Sequence, residues 1–390
     1  MLVLVALFLG WTVTRSAFVQ VLSRGSPSTA LHLDPTNGTA LKAAYGQALA
    51  KGEMSTGQSH AWAGRARRSV ESSPLSASMI RIIATDPTRP RAYQLLGIAE
   101  RVSRRDALMQ LALVEAAVAS GQVGQALRHY DRALSVYPDL RPTLFPVLAS
   151  AIAEPAIRAD LARIAYERRP WINSFLAYAA RQSASPSSVA SLLEQIGSVP
   201  GASQDLREHA AVLAGRFVGA EDYASAHQLA LRSAGSDAAW IDRPSFAPAT
   251  WAQPTRPLTW ATAETEGVNA QLDPDNAVMV SAGPGSAGMA MFRVLLPRPG
   301  RYQFSVTSEP PLDGTAPAGG RWTLFCLRGH GQTAVPLADI ALTPGRKAAV
   351  AQSIIVPANC AAVRLDFAVD NSEGGTDAGV LLSGLVFTRL

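Results

Sequence analysis

Residues 120–138 read SGQVGQALRHYDRALSVYP, and the spacing within them predicts a helical hairpin. Gly121 supplies the turn. Ala126, Tyr130 and Ala133 follow at intervals of four and three, so one face of the second helix carries all three. The small alanines admit a neighbouring helix, Tyr130 fills the gap beyond them, and Pro138 stops the helix. Stacked helix pairs of this kind build a binding surface and seldom a catalytic one.

The same character extends from residue 29 to about residue 235, rich in Ala, Leu and Arg with Pro and Gly as punctuation. Periodicity predicts helices over 41–51, 60–69, 76–84, 91–102, 105–120 and 123–136, with weaker ones continuing to 234. Tyr93, Leu96, Gly97 and Glu100 repeat a first-helix pattern in which Gly97 is expected to permit close helix packing. On these residues, with Gly121, Ala126, Tyr130, Ala133 and Pro138, the segment 29–235 resembles the tetratricopeptide-repeat superfamily. Its spacing departs from the family's regular period, since Pro74 and Pro87 stand too close for a full repeat between them. The resemblance implies a solenoid with a concave groove that takes a protein partner, with Tyr93, Gln94, Gln110 and Glu115 on the groove side.

The N-terminus is apolar over residues 1–13, MLVLVALFLGWTV, and again over 17–22. At about 1.5 Å per residue, a helix to Leu22 reaches roughly 33 Å, against a bilayer core of about 30 Å. Residues 1–22 are therefore expected to be a single-pass inner-membrane anchor with the rest of the chain in the periplasm; a cleaved signal or a buried helix are the alternatives.

Beyond Trp240 helical periodicity stops. Residues 236–260 are a proline-rich linker, and residues 261–390 alternate apolar and polar positions in about eight short runs separated by turn signals such as PRPG and DNSEGG. That pattern predicts an antiparallel β-sandwich, a jelly roll, so the whole chain is expected to be a multidomain α + β protein. The runs FRVLLPRPGRYQFSV, WTLFC and GVLLSGLVFTRL resemble carbohydrate-binding-module jelly rolls over about 245–390. The resemblance implies exposed aromatic rings that stack on sugars. Trp251 and Trp260 are the expected glycan platform, while Trp322, alternating with Leu324 and Cys326, is assigned to the core. Cys326 and Cys360 are the only two cysteines and are expected to pair across neighbouring strands in an oxidising compartment.

Charge is unevenly placed: 25 Lys+Arg against 19 Asp+Glu over residues 1–250, and 10 against 11 beyond them. The basic excess is expected on solvated helix faces, and no nucleic-acid motif accompanies it. Phosphate-binding glycine loops, metalloprotease histidines and a nucleophile elbow are absent, so no cofactor and no metal are expected. The reading is a non-catalytic membrane-anchored scaffold that binds a protein partner and contacts polysaccharide, supporting envelope or exopolysaccharide assembly. The alternative is a glycan-active lyase or hydrolase with the repeats as spacer, in which Glu264 and Glu266 are the acid pair to test.

Overall fold

The computed structural model describes residues 2–52, 54–72, 76–86, 92–197, 204–234, 241, 243–251, 256–311, 314–329 and 331–390. Pro74, Pro87 and parts of the proline-rich linker lie outside the described residues. The chain divides into two compact units, Met1–Ile172 and Asn173–Leu390.

The first unit holds ten described α-helices: α1 (Leu2–Gly25), α2 (Pro27–Leu33), α3 (Gly38–Ala50), α4 (Thr56–Ser72), α5 (Ala77–Ala84), α6 (Ala92–Val102), α7 (Ala107–Ala119), α8 (Val123–Val136), α9 (Arg141–Ala151) and α10 (Pro155–Tyr166). Their small and aliphatic stripes supply the core: Leu41, Tyr45, Ala66, Met79 and Ile82 form one cluster, and Ala77, Ala99 and Met109 another. The α7–α8 hairpin closes as the sequence requires. Gly121 takes φ +68, the Gln122 N–H bonds to Ala117 O at 2.8 Å and the Gly121 N–H to Val118 O at 2.9 Å. This pair of bonds ends α7 and needs a residue free of a Cβ penalty at position 121. Ala126 and Ala133 are buried on the α8 face, and Tyr130, half-buried beside them, has its phenol pushed above its ordinary range by burial. Pro138 begins a one-turn 3₁₀ helix (Pro138–Leu140), which ends α8 as expected.

Two expectations are corrected here. Gly97 does not mediate close packing, because a Cβ built on it meets nothing within 4 Å. The membrane anchor also fails: among the described residues, no helix is long and apolar enough to cross a membrane. In the second half of α1, Arg15, Ser16, Gln20, Ser23 and Arg24 interrupt the apolar run. That half is a packing element instead. Val19 is buried against Ala30 of α2 and Ala40 of α3, and the Arg15 guanidinium bonds to Leu33 O.

In the second unit, α11 (Ile172–Gln182), α12 (Pro186–Gly197), α13 (Gln204–Gly219) and α14 (Tyr223–Ala234) precede the sheets. The α13–α14 turn repeats the α7–α8 bonding with Glu221, at φ 60, in place of glycine. The Glu221 carboxylate accepts the Gly331 N–H at 2.6 Å, and the Tyr223 ring lies against Gly329, so this hairpin is tied to a loop of the sheets.

Eleven described strands follow: β1 (Ala261–Thr262), β2 (Val268–Asp273), β3 (Ala277–Ala282), β4 (Ala287–Leu295), β5 (Gly300–Glu309), β6 (Ala316–Pro317), β7 (Gly319–Leu327), β8 (Val335–Leu342), β9 (Ala348–Val356), β10 (Ala362–Asp370) and β11 (Ala378–Arg389). One sheet has the order β1-β4-β10-β7-β8; the other runs β2-β3-β11-β5-β9, with β6 paired parallel to β11 and every other pairing antiparallel. Alternation decides which side chains meet. On β5, Tyr302, Phe304, Val306 and Ser308 point inward, while Arg301, Gln303, Ser305 and Thr307 point out. Trp322 sits at the centre of the core, its ring 5.7 Å from Phe304, 4.9 Å from Phe367 and 5.9 Å from Trp260. Cys326 and Cys360 are disulfide-bonded, with their Cα atoms 5.3 Å apart. Strands β1, β2 and β6 escaped the sequence reading because they are short or, as in VNAQLD, carry few large apolar residues.

Candidate functional site: an arginine-lined cleft at one end of the sandwich

The residues singled out from sequence do not come together. Trp260 is fully buried: its ring packs 5.6 Å from Phe246 and 6.2 Å from Trp251, and its indole N–H donates to Ser245 O at 2.8 Å. The guanidinium of Arg293, itself buried in the sandwich, lies 5.8 Å from the Trp260 ring centre. Trp251 is half-buried against the same group. A sugar cannot stack on either as a paired platform, because the core needed this apolar area and the lead-in chain folds back to supply it. Gln110 is likewise no groove residue. It is buried, its Oε1 bonded to His129 Nδ1 at 2.8 Å and its Nε2 donating to Arg104 O at 3.3 Å. Gln94 and Glu115 are exposed on α6 and α7, and the Tyr93 side chain lies outside the described residues. Glu264 and Glu266 stand exposed in the β1–β2 connection.

The structure instead offers a cleft of about 310 Å³ at one end of the sandwich, lined by Arg243, Arg298, Tyr302, Phe387, Thr388 and Arg389. Three different segments bring these residues to one place. Arg243 is held in the chain leading to β1 by its buried neighbours Ile241 and Pro244. Arg298 is exposed on the β4–β5 turn, Pro297-Arg298-Pro299-Gly300, where two prolines limit the backbone. The Tyr302 hydroxyl donates to Arg298 O at 2.8 Å and pins that turn. Arg389, at the end of β11, pairs in register with Tyr302 and donates to Pro299 O at 3.2 Å. Gly300 makes this approach possible: at φ +153, a Cβ there would stand 3.0 Å from Arg389 Nε.

Tyr302 and Phe387 form the floor, stacked with ring centres 4.6 Å apart and an interplanar angle of 10°. Both are almost wholly buried, so the floor is rigid and the arginines carry the exposed chemistry. Among the described residues, no carboxylate lies within ion-pair distance of Arg243, Arg298 or Arg389, whereas Arg321, Arg364 and Lys347 in the same sandwich each have one. Arg301, exposed at the start of β5, adds a fourth positive charge nearby. Three guanidinium forks around an aromatic floor suit a planar or tetrahedral anion. The volume sits at the low end of the roughly 300–1,000 Å³ usual for small-ligand pockets.

One other polar cluster lies on the outer face of the five-stranded sheet. Arg364 donates twice to Asp366 Oδ2, at 3.0 and 2.7 Å, and stacks over Phe325 at 5.1 Å. Burial raises the Asp366 carboxyl above its ordinary value and the Arg364 bonds oppose that rise. Both Arg364 bonds fall on the one oxygen, and among the described residues the buried Asp366 Oδ1 has no hydrogen-bond partner. Asp273, Asp275 and Asn276 occupy a tight turn, and among the described residues no group of three His, Cys, Asp or Glu could hold a metal ion.

Sequence reasoning missed the cleft for a physical reason. Arg243, Arg298 and Arg389 are far apart along the chain, and the slightly acidic balance beyond residue 250 hides the contribution of Arg298 and Arg389. The PRPGR turn was visible as a turn, but nothing local marks it as half of a site.

No protein-family model and no curated protein matches this chain. Solved structures similar to part of it include the tailspike protein 4 enzymatically active domain of bacteriophage CBA120, at 13% identity and TM-score 0.24, with 34% of this chain and 19% of that one covered. The family 22 xylan-binding module CBM22-1 of Paenibacillus barcinonensis Xyn10C matches at 14% identity and TM-score 0.26, over 38% of this chain and 92% of that one. The C-terminal family 22 carbohydrate-binding module of Clostridium thermocellum Xyn10B matches at 13% identity and TM-score 0.25, over 36% and 90%. The chain thus spans less than a fifth of the tailspike domain and most of each family 22 module.

Proposed function

We propose that this protein is a non-catalytic binding protein whose sandwich captures an anionic ligand in the arginine-lined cleft. The observation that carries this reading is the convergence of Arg243, Arg298 and Arg389, without carboxylate partners among the described residues, on a cleft of about 310 Å³. Guanidinium groups brought together from separate segments repel one another, and an anion between them relieves that repulsion. Hydrogen bonds to a charged group contribute about 1.5–3 kcal/mol each, so a carboxylate or sulfate held by two arginines binds usefully even at a site open to water.

The helical hairpins act as a scaffold for a protein partner. Ile98 and Val118 are exposed apolar positions one turn from Gln94 on α6 and Glu115 on α7, which supports a docking role for the helices. Glu264 and Glu266 lie outside the cleft, and among the described residues no acid lines it.

The test is calorimetric titration of the full chain with glucuronate, sulfate and glucose. The reading expects binding of the anions and none of glucose, weakening with salt as exposed charge pairs do. Arg298→Gln and Arg389→Gln should each weaken anion binding by about tenfold or more, one decade being 1.4 kcal/mol. Equal heats for glucuronate and glucose would refute it.

A further inference from the structure

Resting on that reading of the cleft, we infer that the outer face of the six-stranded sheet continues the site as a track for an acidic polysaccharide, a chain of uronate-bearing sugars. Register places the side chains in rows. Thr388, which lines the cleft, stands beside Gln303, and Gln303 beside Ser353; the next rows are Val386–Ser305–Ala351 and Ser383–Thr307–Ala349. Gln303, Ser305, Thr307, Ser353, Ser383 and Thr388 are exposed or half-exposed, and none of their side chains hydrogen-bonds to the protein among the described residues. From Gln303 to Thr307 the track runs about 13 Å along the strand, and β11 to β9 spans roughly 10 Å across.

This face differs from an ordinary solvated sheet in having hydroxyls and amides without charges. Its first charges are Arg301 at the cleft end and Glu309, held by Lys347 at 2.8 Å, at the far end. Free hydroxyl and amide groups both donate and accept, which is the chemistry that sugar hydroxyls present. The arginines at one end supply the charge complement to a uronate carboxylate. A nucleic acid fits less well. It would need cations repeated along the track and exposed aromatic rings for its bases, and the track carries neither. A protein partner would need buried apolar anchors, and the exposed apolar groups here are isolated, Val386 and Ile355 among them.

The experiment titrates the full chain with galacturonate oligomers of one to six units, cello-oligosaccharides of the same lengths, and a single-stranded DNA oligomer. Affinity for the acidic series should rise about tenfold between one and four units, with the neutral series binding at least tenfold more weakly. Gln303→Ala with Thr307→Val should abolish the gain with length and leave single-galacturonate binding unchanged; circular dichroism confirms that the variant is folded. Length-independent binding, with that variant unaffected, overturns the track while the cleft reading stands. Loss of all galacturonate binding in the wild-type chain overturns both. DNA binding tighter than the galacturonate hexamer overturns the track in favour of a nucleic acid.

Discussion

Replacing Trp260 by alanine tests how the sandwich is built. The side chain is fully buried, with three aromatic neighbours within 6.2 Å, and its indole N–H bonds to Ser245 O. Truncating a buried tryptophan costs about 3–5 kcal/mol in lost transfer energy and residual cavity. The lost hydrogen bond to Ser245 O, which keeps its bond from the Thr250 hydroxyl at 2.7 Å, adds about 0.5–1 kcal/mol, and the lost contact with Arg293, 5.8 Å from the ring centre, adds about 0.5–1 kcal/mol. The expected loss is therefore about 4–7 kcal/mol, a large part of the stability of any single domain. At about 2–4 °C per kcal/mol for a unit of this size, the melting transition of the sandwich should fall by roughly 8–28 °C, read by near-ultraviolet circular dichroism. Trp260→Phe keeps most of the volume and should cost only about 1–3 kcal/mol, from the unmade hydrogen bond. If Trp260→Ala lost less than about 1 kcal/mol, the ring would be surface-held, and the core described for this sandwich would be wrong.

Glycines 97 and 121 should respond in opposite directions. Gly97→Ala, in open space within a helix, should stabilise by about 0.5–1 kcal/mol, whereas Gly121→Ala, at φ +68, should destabilise by about 1–2 kcal/mol in urea titrations. His129 is held below its ordinary 6.5 first by burial and then by Arg128, which outweigh Glu100, whose Oε1 stands 3.6 Å from its Nδ1 and is shared with Arg132. The unfolded chain thus binds the extra proton first, so stability should fall as pH drops below about 6.5, and His129→Gln should flatten that slope in melts between pH 7.5 and 5. The Cys326–Cys360 bond closes a separation of 34 residues, for which loop-closure entropy gives about 4 kcal/mol. Reduction should lower the sandwich transition accordingly, and thiol titration of the denatured, unreduced chain should find no free thiol.

Much of the fold was legible because local rules agree with tertiary packing. Helix α8 begins and ends where Gly121 and Pro138 said it would, and β7 alternates Trp322, Leu324 and Cys326 inward as its period of two requires. Three errors came from reading residue type without its neighbours. An apolar N-terminal run suggested a bilayer, but Arg15 and Val19 find partners in α2 and α3. Tryptophans before a sheet suggested a sugar platform, but Trp260 completes a core that the sheets alone leave open. Gln110 looked like a groove residue because its bond to His129 joins two helices and leaves no trace in linear spacing. The cleft was illegible for the same reason, as its three arginines meet only through the topology of the second unit.

The most direct measurement is the chemical-shift or calorimetric titration of the full chain with glucuronate and with glucose at low salt, repeated on Arg298→Gln with Arg389→Gln. The account predicts saturable binding of glucuronate, none of glucose, and loss of the glucuronate response in the double variant. A double variant that still bound glucuronate as the wild type does would contradict it.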